Sequence, residues 1–165
     1  MRVLGIDPGV ATIGIGVLDV ISSDELRVVD WLTIQTAAGL PLAERLMEIH
    51  RDFSRFLKET PPELAVVEKL FFATNEKTAL DVAHARGVIL LTLKEHAIPF
   101  LEPTPLEMKA CITGDGRADK RQIQDMLCRL LHLSEIPRPD DAADALALAA
   151  YGALHHRTLE LYAKK

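Results

Sequence analysis

Residues 2–20 hold two strand-like runs, RVLGID (2–7) and ATIGIGVLDV (11–20), parted by only Pro8, Gly9 and Val10. The second run is rich in β-branched residues, and the 8–10 turn is short enough for a hairpin. This opening commits the chain to a sheet whose first strand ends on a carboxylate. A strand-end turn explains Pro8 and Gly9. It does not explain Asp7, because a charge beside a core costs several kcal/mol unless something pairs with it.

The remaining pattern extends this beginning. ELRVVDWLTIQT (25–36) alternates well enough for a third strand. Leu42, Leu46, Ile49, Phe53 and Phe56 then recur at helical spacing, giving a helix over about 40–58 that Pro61 and Pro62 close. ELAVVEKL (63–70) is a short buried strand that meets an acid near its end, Glu68. A long helix follows at about 75–96, carrying Leu80, Ala83, Gly87, Leu90 and Leu91, then a strand at 98–103. A short helical turn reaches Lys109, and two helices close the chain at about 119–132 and 139–157. The order predicts an α/β fold: a mixed sheet of about five strands, the first three antiparallel, flanked by helices. With 165 residues and no linker or repeat, residues 1–157 read as one domain, and 158–165 as a short C-terminal tail.

Composition narrows the function classes. The longest apolar run, GVILLTL (87–93), stops at Lys94, short of a membrane span. The first apolar stretch is cut by Asp7, which argues against a signal peptide. Cys111 and Cys128 lack metal spacing and read as reduced residues of a cytoplasmic protein. The net charge of −5 argues mildly against a nucleic-acid partner, yet charge is unevenly placed. Lys109, Arg117, Lys120, Arg121 and Arg129 outnumber the acids between 109 and 129, whereas RPDDAAD (138–144) is acidic. A basic surface beside an acidic pocket fits this distribution.

Asp7 and Glu68 both stand at the carboxyl ends of strands, the edge of an open α/β sheet where sites form. The last helix adds a second pair. Asp141 and Asp144 are three apart and share a face; Asp140 and Asp144, four apart, share one nearly as well. Spacing leaves that choice open. Two carboxylates 4 Å apart repel by about 4 kcal/mol at an effective dielectric near 20. A converging set of four therefore calls for a cation, and an all-oxygen donor set suits Mg²⁺ or Mn²⁺. A cluster rich in carboxylates and poor in histidine matches a two-metal phosphodiester site. Taken singly, a strand-end acid is more often a solvated turn residue, and Asp140 more often a helix cap. The six histidines show no ligand spacing.

The segments GIDPGVATIGIGV, VVEKLFFATN, AHARGVILL, PLEMKACITGDGRADK and DDAADALALA together resemble RuvC, the bacterial Holliday-junction resolvase family, over about residues 2–156. The resemblance implies an RNase H-like fold, a homodimer, and Mg²⁺- or Mn²⁺-dependent endonuclease activity on four-way DNA junctions, with two ions per site. It carries the family's carboxylates onto Asp7, Glu68, Asp141 and Asp144, leaving Asp140 as a helix-start neighbour. The family's site lysines fall on Lys109 and Lys120, and its base-contacting phenylalanine on Phe71. Lys120 and Arg121 would begin a helix, whose backbone N–H groups can add to a phosphate site. Lys69 departs from the family, where glutamine is more frequent, and adds a cation near the substrate strand. Phe72 reads as core. The implied partners are junction DNA, a second copy of the chain meeting along the long helix, and the branch-migration motor complex of RuvA and RuvB. Three rivals stand beside this reading. One is a nuclease of the same fold acting on other branched DNA or structured RNA. The others are a junction-binding module without catalysis and an ATP-binding module, although one short chain lacks the two lobes the last requires.

Overall fold

The computed structural model describes residues 1–22, 25–69 and 76–163, with only the backbone course given for 76–78 and 157–163. Five strands, β1 (Arg2–Asp7), β2 (Thr12–Val20), β3 (Leu26–Gln35), β4 (Leu64–Val67) and β5 (Phe100–Leu101), form one sheet in the order β3-β2-β1-β4-β5. The first three are antiparallel, and β4 and β5 run parallel to β1. This is the RNase H-like arrangement expected from the sequence. The hairpin connection is longer than the 8–10 turn expected. Asp7 lies opposite Gly14, while Thr12 and Ile13 pair with Gln35 and Ile34 of β3 instead.

Alternation along the strands separates two cores. Leu4, Ile6, Ile13, Ile15, Val17, Ala65 and Val67 face α1 (Leu42–Glu59) and α2 (Glu76–Glu95). Val3, Leu18 and Val66 face α3 (Pro105–Thr113), α4 (Lys120–Leu130) and α5 (Asp140–Ala163). Because β1 and β4 are covered on both faces, their sequences read as nearly continuous apolar runs. The segment expected as a short turn before Lys109 is the nine-residue helix α3. Thr104 caps it with a reciprocal box to Glu107, Pro105 opens it, and Gly114 ends it at φ 80°. Asp119 and Gln122 form the same box at the start of α4.

The stripe named on the long helix is not its buried face. Leu80 and Leu91 are 66% and 57% exposed, and the core side is Ala85, Ile89, Thr92 and Leu93. Ala85, Ile89 and Leu93 are four apart, a tighter match to the helical period than the residues picked by apolarity alone. On α1 the seam is Ile49, Phe53 and Leu57. Among the described residues, no helix is long and apolar enough to cross a membrane.

α5 is apolar nearly all round, with Ala142, Ala143 and the run Ala145–Ala150 buried. Its backbone lies directly on the sheet where glycines leave room. A Cβ on Gly5 would stand 1.9 Å from the Ala145 carbonyl oxygen, and one on Gly14 would stand 1.9 Å from that of Asp141. A Cβ on Gly16 would lie 2.5 Å from Leu146 Cα. The glycines around Asp7 thus bring the acidic start of α5 down onto the sheet edge.

Candidate active site

Parallel pairing of β1 with β4 reaches Ile6 and Val67, so Asp7 and Glu68 leave neighbouring strands side by side at one edge. Gly5 faces α5, and Asp7, two residues on, takes the same face. Val66 packs in the α5-side core, which gives Glu68 that face too. α5 supplies Asp144 one turn into the helix, and the Pro139 carbonyl accepts the first intrahelical bonds from Ala142 and Ala143. A pocket of about 210 Å³ opens here, lined by Asp7, Glu68, Met108, Lys109, Lys120, Ile123, Asp144 and Leu148. α3 delivers Lys109, and Lys120 is the first residue of α4, set by the Asp119 cap.

The electrostatics are those of acids forced together. Burial first, then the charges of Glu68, Asp144 and Asp141, push the Asp7 carboxyl from its ordinary 3.8 up to about 7, with Lys120 opposing. Glu68 is raised by burial and by Asp144, against the pull of Lys109. Asp144 is raised by burial, while Lys120 works the other way. The Lys120 Nζ donates to Asp144 Oδ2 at 3.2 Å and stands 3.1 Å from Asp140 Oδ2. Burial works against its charge, but the two carboxylates outweigh that and raise its pKa.

The structure therefore brings together Asp7, Glu68, Asp144, Lys109 and Lys120. Asp141 is half-buried and is not part of the pocket wall, though its charge reaches both Asp7 and Asp144. Asp140, expected as a bystander at the helix start, is exposed and holds Lys120. Lys69 and Arg121 are exposed beyond the pocket. Phe71 and Phe72 lie outside the described residues.

Among the described residues, no three Asp, Glu, His or Cys side chains stand close enough to hold a metal ion as arranged. The donor set still fits a hard divalent cation. Three carboxylates line one small pocket, one of them disfavoured as an anion by burial and by its acidic neighbours, with an ammonium reaching in from the rim. Sequence reasoning missed the apolar wall of Met108, Ile123 and Leu148, and Arg86, which binds the main chain at Glu68. An arginine inside the apolar segment AHARGVILL was the available signal for the latter.

The profile of the family described as crossover junction endodeoxyribonuclease RuvC matches residues 3–151. The crossover junction endodeoxyribonuclease RuvC of Thermotoga petrophila is 48% identical over 95% of this chain and 94% of its own length. The structure of Thermus thermophilus RuvC superposes with a TM-score of 0.89 at 33% identity, covering 96% of each chain. The same protein in complex with Holliday junction substrate gives 0.88 at 34%, again over 96% of each.

Proposed function

The chain belongs to the RuvC family and is a crossover junction endodeoxyribonuclease, and we propose that it resolves four-way DNA junctions at the carboxylate pocket, by paired symmetric nicks that leave 5′-phosphate and 3′-hydroxyl ends. The observation that carries this reading is the gathering of Asp7, Glu68 and Asp144 in one pocket rimmed by Lys109 and Lys120. Family nucleases of this kind depend on divalent metal. In this chain Asp7, Glu68, Asp141 and Asp144 would hold two ions, Mg²⁺ or Mn²⁺. Such ions, when bound, supply an activated water and neutralise charge on the departing 3′-oxygen.

The chain's own groups do the rest. Lys109 and Lys120 bind the scissile phosphate and stabilise charge developing on it. Lys120 gives up Asp144 as it turns to substrate, and Asp140 keeps a hold on it. Lys69 and Arg121, both exposed, take flanking phosphates. Phe71 stacks on an unpaired base at the crossover. Two symmetry-related strands need two cuts, which a two-fold homodimer supplies. Its face is read along α1 and α2, where Met47 and Leu91 stand exposed beside an apolar groove. Action in the cytoplasm alongside the RuvA and RuvB branch-migration motor completes the reading.

The test is cleavage of a labelled mobile four-way junction, a matched duplex and a flap, each with Mg²⁺, Mn²⁺ or EDTA. Cutting confined to the junction and lost in EDTA is expected. Equal cutting of the flap would favour a nuclease for other branched DNA, and tight binding without cutting would favour a recognition module.

A further inference from the structure

Glu68 lies one residue past the last pair of its strand with β1, Ile6 with Val67, and two past the last pair with β5, Val66 with Leu101. Past the ladder, its carbonyl oxygen is taken by a side chain, Arg86 of α2. Its Nε–H donates to the Glu68 carbonyl oxygen at 2.9 Å, and its Nη2 pairs with Glu102 Oε2 just beyond β5. The Lys69 N–H donates to the Pro103 carbonyl at 2.8 Å, joining the same two strand tails. The Arg86 side chain is only 15% exposed. Burying a guanidinium is costly unless its donors are satisfied, and its planar fork fixes the orientation of what it binds. From these contacts we propose that Arg86 is a positioning residue: anchored by Glu102, it fixes the Glu68 peptide so that the carboxylate enters the pocket beside Asp7. The proposal rests on Glu68 holding metal, as read above.

It is tested by following junction cleavage against Mn²⁺ concentration, with Mn²⁺ binding measured calorimetrically without DNA. The proteins are wild type, Glu68→Gln, Arg86→Gln and Glu102→Gln. Removing a group that orients a metal ligand typically costs ten- to a hundredfold in affinity, so Arg86→Gln should need roughly tenfold more Mn²⁺ and bind it roughly tenfold more weakly. High Mn²⁺ should restore its rate to near wild type, and junction binding in EDTA should be unchanged. A protein weakened only in stability would instead lose rate equally at every Mn²⁺ concentration, and that result, or wild-type Mn²⁺ dependence, overturns the proposal. If Arg86→Gln does not fold, Glu102→Gln carries the test: it leaves the bond to Glu68 but frees its anchor, so a smaller shift in the same direction is expected and none refutes. Wild-type Mn²⁺ binding and cleavage in Glu68→Gln would remove the underlying reading of Glu68 instead.

Discussion

Replacing Asp7 by Asn should abolish cleavage and yet stabilise the metal-free protein. The folded-state pKa of Asp7, about 7, stands above its ordinary 3.8 because the carboxyl is buried beside other acids. For an acid shifted this way, the folded chain binds the proton more tightly than the unfolded one. Its favourable contribution is complete below about 3.8 and is lost as pH rises through about 7. Above that, the displacement corresponds to a ceiling of about 4 kcal/mol of destabilisation. An amide removes the charge but is itself penalised by burial, so about half, roughly 2 kcal/mol, should be recovered. In a chain of this size that raises Tm by about 4–8 °C. Melting at pH 8 in EDTA is the assay, repeated at pH 4, where the advantage should vanish and the protonated wild type should melt at or above the variant. Mg²⁺ should then raise the wild-type Tm more than the variant's. A variant that melts at or below wild type at pH 8, or a gap independent of pH, would refute the reasoning.

Gly14→Ala should be harmful despite its size, since its Cβ would meet the Asp141 carbonyl oxygen at 1.9 Å and must push the start of α5 outward. Overpacking of this kind costs about 1–3 kcal/mol, and cleavage should fall further than stability, as read by urea unfolding beside junction cutting. Lys120→Ala should slow saturated cleavage by about a hundredfold, the scale of one lost transition-state contact, while junction affinity in EDTA falls only slightly. Single-turnover kinetics would check it. Asp119→Ala removes the cap that sets Lys120, at about 1 kcal/mol, so a Tm lower by about 2–4 °C is expected.

Most of the sheet was legible because its signals are local. β-branched alternation marks the first three strands, and acids at the ends of β1 and β4 mark the edge that matters. What escaped depends on contacts between distant segments. Gly14 and Gly16 read as ordinary strand glycines until α5 is laid across them. Leu80 and Leu91 outrank Ala85 in hydrophobicity, yet Ala85 faces the core, because a close helix contact selects for fit. Spacing could not choose between Asp140 and Asp141. The fold shows both to be engaged, Asp140 with Lys120 and Asp141 through its charge on Asp7. Arg86 was invisible as a positioning group because its partners lie 18 and 16 residues away, and neither shares a periodic pattern with it.

The most direct test of the account maps cut positions on all four strands of a junction, each labelled in turn, for wild type and Asp7→Asn with Mg²⁺ or EDTA. The account predicts two nicks at symmetric positions on opposite strands, with ends that ligase rejoins, in the wild type with Mg²⁺ only. Cutting that persists in Asp7→Asn, or nicks scattered over duplex arms without symmetry, would contradict it.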